Sequence, residues 1–314
     1  MVLTQTEISL QQNAKHPETF TPHVISLKPE VYKTMVVALN LPYRAIESTS
    51  CVGPFFWCAY DQNYQNPHLR TCPSSVFLYH FPAPNKLPEI VYRKSDVRKK
   101  GFTRGWELML SHDVNNGVTT GFAKGTPSSD LIEAIKHLKV CVLQIGHPML
   151  LPIIIFSHDV SFKTDIKQRE ARDWLRRLEH AVSMRTEIEE KEGYVRDGVV
   201  DLDAVNRDLV ECHSQVLWKR PKAYLEILKG IERAMGRFNE RLPPGRRDDT
   251  MTQLQDSMFA RMDFYRVKLQ GIESYAYTTL QRLDIQRSAV RLTPFFPSSS
   301  PFPLITFPIN MNIH

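Results

Sequence analysis

The side chains best suited to chemistry occur as a repeated tripeptide, Ser111-His112-Asp113 and Ser157-His158-Asp159, each followed by Val. These are the residue types of a hydrolase triad, in which serine attacks an acyl carbon, histidine takes its proton and a carboxylate orients the imidazole. The three must converge in space, whereas consecutive residues of a strand or helix project in different directions. No G-x-S-x-G elbow presents a serine, so neither copy is expected to be catalytic. Gly117, Gly121 and Gly125 recur every four residues beside Lys124. A phosphate-binding loop needs lysine directly after glycine, and here the order is reversed, so glycine-permitted turns between strands are expected instead. Cys58, His68, Cys72 and His80 carry ligand atoms at spacings that match no common zinc knuckle.

Two charged segments remain. Arg93, Lys94, Arg98, Lys99, Lys100 and Arg104 fall within twelve residues, with Tyr92, Phe102 and Trp106 interleaved and only Asp96 in opposition. Cations neutralise phosphates and aromatic faces stack on bases, so this is the composition of a patch for RNA or anionic lipid. Further on, Lys163, Lys167, Arg169, Arg172, Arg176 and Arg177 lead a helical stretch that ends in Glu187, Glu189, Glu190 and Glu192. That order opposes the helix dipole, which favours acids first and bases last. The grouped carboxylates are candidate ligands for hydrated magnesium, which proteins hold through one or two such groups.

Proline marks where the elements carrying these residues must end. Ten prolines lie between Pro17 and Pro88, Pro221 stands alone between residues 153 and 242, and five crowd residues 294 to 308. Within 23–126, the runs Val24 to Leu27, Val76 to Tyr79 and Ile90 to Tyr92, separated by Pro, Asn and Gly, predict strands and loops. From Ser128 the period changes. Leu131, Ile132, Ile135, Leu138, Val142 and Ile145 recur at three and four residues behind Ser128, Ser129 and Asp130, which predicts a capped amphipathic helix ending near Gly146. Pro148 and Pro152 bracket Met149-Leu150-Leu151 ahead of Ile153 to Phe156, a run too short to span a bilayer and read as a buried linker. A second helix over 163–192 places Ala171, Trp174, Leu175, Leu178, Ala181, Val182 and Ile188 on one face. Gly193 and Gly198 mark a turn, and a third helix begins at Asp201 or Asp203, restarts at Pro221 and runs to Pro243.

The longest helix is expected from about Asp249 to Val290, roughly 60 Å if continuous. Its apolar positions, from Met251 to Leu283, advance by about 3.6 residues per step, between a strict heptad and a straight helix. A greasy stripe on so long a rod calls for a helical partner, from the same chain or another copy. Leu254, Met258, Met262, Tyr265, Leu269, Ile272, Leu280 and Leu283 are therefore expected to form a self-association seam, in a homo-oligomer or with another helix. After Arg291 no charged residue follows, and the prolines exclude a helix. Residues 291–314 are expected to be an irregular Pro-rich tail and residues 1–22 a flexible N-terminus.

A chain of 314 residues, 42% apolar and 24% charged, is globular and can bury a core without disulfides or metals. The net charge of +6 divides evenly: 15 Lys and Arg oppose 12 Asp and Glu up to residue 160, and 25 oppose 22 beyond it. This leaves no basic domain and argues against nucleic acid as the main partner. Five cysteines without a C-x-x-C pair, and twenty initial residues that assemble no apolar core, point to reduced thiols and a cytoplasmic location. No run of about eighteen apolar residues is present, so no transmembrane segment is expected.

The segments Leu41-Pro42-Tyr43-Arg44-Ala45-Ile46-Glu47, Val52-Gly53-Pro54-Phe55-Phe56-Trp57, Arg104-Gly105-Trp106-Glu107 and His147-Pro148-Met149-Leu150-Leu151-Pro152 resemble fungal proteins that share the soluble part of CorA-type magnesium transporters. Arg176-Arg177-Leu178-Glu179 and the long final rod are similar in order and length to that family's helical region, and the likeness spans residues 25 to 290. It implies a cytosolic domain that feeds a stalk helix, assembled as an oligomer, with magnesium as the ion served. The family's Gly-Met-Asn loop is absent, and Asn310-Met311-Asn312 is not that motif because nothing membrane-spanning precedes it. The expected protein is a non-enzymatic CorA-like cytosolic domain, truncated or degenerate, that self-associates through its last helix and lies in the cytoplasm or at the cytosolic face of a membrane through partners. The alternative is a soluble adaptor binding polyanions through residues 92–106. The expected fold is α+β, with a mixed α/β domain over 23–160 and a region of long antiparallel helices over 161–290 that ends in an extended, stalk-like helix.

Overall fold

The computed structural model describes residues 20, 27–39, 41, 54–60, 88–99, 102–126, 129–141, 146–183, 194–196, 199–216 and 221–292. The N-terminal segment 1–19, the Val76 to Tyr79 run and the Pro-rich tail lie outside the described residues. Helix α1 (Pro29–Ala38) precedes four strands, β1 (Phe55–Tyr60), β2 (Pro88–Lys99), β3 (Phe102–Asp113) and β4 (Val118–Gly125). Helices α2 (Asp130–Val140), α3 (Leu150–Asp159) and α4 (Phe162–Val182) follow. A two-residue strand pair, β5 (Val195–Arg196) with β6 (Val199–Val200), leads to α5 (Leu202–Val216), α6 (Pro221–Arg241) and α7 (Asp249–Leu292). The fold is α+β, as its sequence pattern predicts.

Two compact units divide the described residues. The first holds those up to Ile166 together with 221–275, and the second holds 167–216 together with 276–292. In the first unit β1 to β4 pair in chain order as an antiparallel meander. Strand alternation gives both sheet faces an apolar layer. Trp106, Leu108 and Leu110 of β3 join Ile90 and Tyr92 of β2 in a core shared with α2, α3, α6 and the first part of α7. Met109, between them, packs with Tyr32 and Val36 of α1. The Thr120 hydroxyl donates to the Leu39 carbonyl at 2.7 Å, fastening the end of α1 to β4.

The compact units do not part at residue 160, where composition places the boundary. Residues 221–275 belong with the sheet because Leu228, Ile231 and Met235 of α6 and Met258, Met262 and Leu269 of α7 bury their side chains in the sheet's core. Two local readings also change. Residues 29–38 form a helix where strands and loops are expected: Pro29 supplies a preset first turn, and Tyr32 and Val36, one turn apart, are the buried pair. Residues 150–159 form a helix despite Pro152, which sits in its first turn, where a backbone N–H has no helical partner to lose. Leu150 to Phe156 are all buried, so this helix has no solvent face along that stretch.

In the second unit α4 and α5 run antiparallel. The Gln168 amide donates to the Val216 carbonyl at 3.1 Å, and the Cys212 thiol reaches the Ala171 carbonyl at 3.2 Å. The Asp201 carboxylate accepts from the Ala204 amide at 2.9 Å and caps α5, as expected from its position. Leu175, Leu178, Leu209 and Leu283 are fully buried at the centre of this unit.

Candidate functional site

The first tripeptide stands at the end of β3, beside the tight turn to β4. The Asp113 carboxylate accepts from the Asn115 and Asn116 amides at 2.9 and 3.2 Å, and Gly117 closes the turn with φ of 69°, a left-handed conformation that favours glycine. The Arg246 guanidinium, from the 3-10 turn Pro244–Arg246, donates to the Val114 carbonyl at 3.0 Å and occupies the space a Gly117 side chain would need. His112 turns away from its neighbour's carboxylate and shares a 2.8 Å hydrogen bond between Nδ1 and the Thr119 hydroxyl. Ser111 and His112 are both buried. Asp113 is thus engaged with the turn and His112 with Thr119, which leaves no serine-histidine-carboxylate relay.

His112 belongs instead to a buried pair of imidazoles flanking Phe238 of α6. The His112 ring lies 5.4 Å from that ring at 77°, and the His147 ring 4.5 Å from it at 64°. His147 Nδ1 accepts from the Met149 amide at 3.1 Å, which places the proton of the neutral ring on Nε2. Burial lowers the pKa of His112 to about 4, assisted by the Arg246 charge and opposed by Asp113. Burial lowers that of His147 to about 3, assisted by His112 and opposed by the side chain of Gln255. Both rings are therefore neutral at pH 7. Gln255 lies beside His147, yet neither His147 Nε2 nor Gln255 Oε1 makes a hydrogen bond of full geometry.

The second tripeptide lies in the last turn of α3 and also separates. The Ser157 hydroxyl donates to the Ile153 carbonyl at 2.8 Å, and Asp159 is buried. His158 faces α2, where its Nε2 lies 3.4 Å from His137 Nδ1 with the rings 77° apart. Burial, then His158, then Arg261 lower the pKa of His137.

Gly121 and Gly125 lie inside β4, opposite Leu110 and Trp106, and not in turns. A Cβ at Gly121 would meet the Leu110 side chain and stand 2.9 Å from the Met109 carbonyl, so close strand packing explains this glycine. The residues Arg93, Lys94, Arg98, Lys99 and Arg104 share the hairpin of β2 and β3, and Lys100 lies outside the described residues. Of the three interleaved aromatics, Tyr92 and Trp106 are 0% and 2% exposed and pack edge to face at 4.7 Å, so neither of these two presents a ring to a base. Glu187, Glu189, Glu190 and Glu192 lie outside the described residues.

The expected seam on α7 is covered from within the chain. In the first unit Met258, Met262 and Leu269 are core residues, with Leu254 and Tyr265 packed against them, and Ile272 is buried. In the second unit Leu283 is core and Leu280 packs against it. Met258, Met262, Leu269, Ile272 and Leu283 therefore have little apolar surface left to drive association, while Leu254, Tyr265 and Leu280 are half-buried. The apolar positions of α7 that do face solvent are Phe264, Val267, Tyr277 and Ile285.

Sequence spacing gave no reason to single out His137, His147, Arg246 or Gln255. The available signals were His147 two residues before the amide it caps, and Glu133 and His137 one helical turn apart. No protein-family model matches the chain, and no curated protein matches it either.

Proposed function

We propose that this chain is a non-enzymatic module akin to the cytosolic part of CorA-type magnesium transporters. The observation that supports this reading is the order of its elements: a sheet layered with helices, an antiparallel helical pair, and a final helix of 44 residues. In such a module the serines, histidines and aspartates of the two tripeptides serve the turn, the helix backbone and the core. No helix among the described residues is long and apolar enough to cross a membrane. Magnesium enters as the ion served or sensed. Among the described residues no three His, Cys, Asp or Glu side chains are grouped to hold a metal ion, and no step is assigned to it. Hydrogen exchange with and without millimolar magnesium tests the reading: slowed exchange centred on 184–193 is the expected outcome. Unchanged exchange in every peptide would remove magnesium from it.

A second reading, electrostatic binding of polyanions, is favoured by one observation: five of the six basic residues share one hairpin. Retention on heparin that falls steeply as salt rises is expected, and no retention at low salt would end this reading.

A further inference from the structure

We infer that His137 and His158 form a clip for a divalent transition-metal ion of the zinc class, joining α2 to α3. Each histidine lies in the last turn of its helix, and the two helices pack against each other. The facing nitrogens, His137 Nδ1 and His158 Nε2, are 3.4 Å apart. Two imidazole nitrogens bound to one tetrahedral zinc, at the usual bond length, stand about 3.3 to 3.4 Å from each other. The same separation is long for a hydrogen bond between two imidazoles. The helices therefore already hold the two ligands at chelating distance, and a turn of the rings aims both lone pairs at one ion.

The surroundings define what the site takes. Both rings are half-buried, reachable from solvent yet held by the helix packing behind them. Glu133, one turn earlier on α2, is near enough to sense the charge of His158 and is now paired with Lys136 at 2.8 Å. Arg261 of α7 lies near His137 and opposes a cation. With two protein ligands, water fills the remaining positions. Nitrogen donors favour zinc, copper and nickel over magnesium, so this site is separate in chemistry from any magnesium response of the molecule.

Zinc chloride titrated into the full chain by calorimetry tests the inference, with magnesium chloride as the contrasting arm. One zinc per chain and no heat from magnesium at this site are expected. His137→Gln and His158→Gln should each weaken zinc binding by about tenfold or more, since even residues behind a metal ligand contribute that much. Arg261→Gln should strengthen it. Should a histidine variant lose its fold, modification by diethyl pyrocarbonate on the unaltered chain gives the same answer, because zinc must shield His137 and His158 and leave His180 reactive. Zinc binding of equal strength in the double variant, or equal reactivity of all three histidines with zinc present, would overturn the clip.

Discussion

His147 illustrates how a residue can be chemically capable and still serve structure. Its imidazole is held by the Met149 amide on one side and Phe238 on the other, in a place where the charged ring would find little solvation. A histidine whose folded pKa is depressed binds its proton first in the unfolded chain. Stability is then complete above the unfolded value near 6.5 and is lost as pH falls toward about 4 for His112 and about 3 for His147. Each contributes a slope of up to about 1.4 kcal/mol per pH unit, and between roughly pH 6.5 and 5 few carboxylates add to it. Urea unfolding across that window should show stability falling with acid, and His147→Asn should remove about half of the slope in a two-histidine reading. An unaltered slope would mean that His147 is not buried neutral. None of this was legible from spacing, because burial of a polar ring depends on which elements close over it. The contiguous tripeptides were legible as non-catalytic, since strand and helix geometry alone send Ser, His and Asp apart.

At the scale of elements, the pattern of α7 is legible in the sequence, whereas what covers it is not. Periodicity fixes that Met258, Met262, Leu269 and Leu283 share a face, but says nothing about what covers that face. The cover comes from the core that the sheet shares with α3 and α6 in the first unit and from α4 and α5 in the second, elements far from it in sequence or separated from it by turns. The helix at 150–159 is not legible in the sequence for a related reason: a helix buried all round has no amphipathic period, and Pro152 has the character of a breaker although it stands in the first turn. Replacing Leu269 with Ala then becomes a test of intrachain packing. A loss of about 2 to 5 kcal/mol in unfolding free energy is expected from the cavity left in the sheet's core. Light scattering on the folded variant should give the mass of the unaltered protein. Dissociation into smaller species without a loss of monomer stability would restore the seam that the burial argues against.

For the whole molecule, the consequence of two units is that stability need not be one number. Each unit has its own apolar centre, one built on the sheet and the other on the α4–α5 pair, and a single continuous helix contributes to both. Native-state exchange separates segments that open with different free energies, so it can ask whether the two centres fail together. Leu283 is fully buried in the smaller unit and its replacement by Ala removes contacts only there. Amides of α5 and of residues 276–292 should exchange faster in this variant, by about thirtyfold or more, the factor that corresponds to the lower end of the same range of about 2 to 5 kcal/mol. Amides of β3 should keep their protection, because the contacts of Leu108 and Leu110 are untouched. Equal acceleration at β3 would show instead that α7 transmits the loss and that the two centres unfold as one cooperative body.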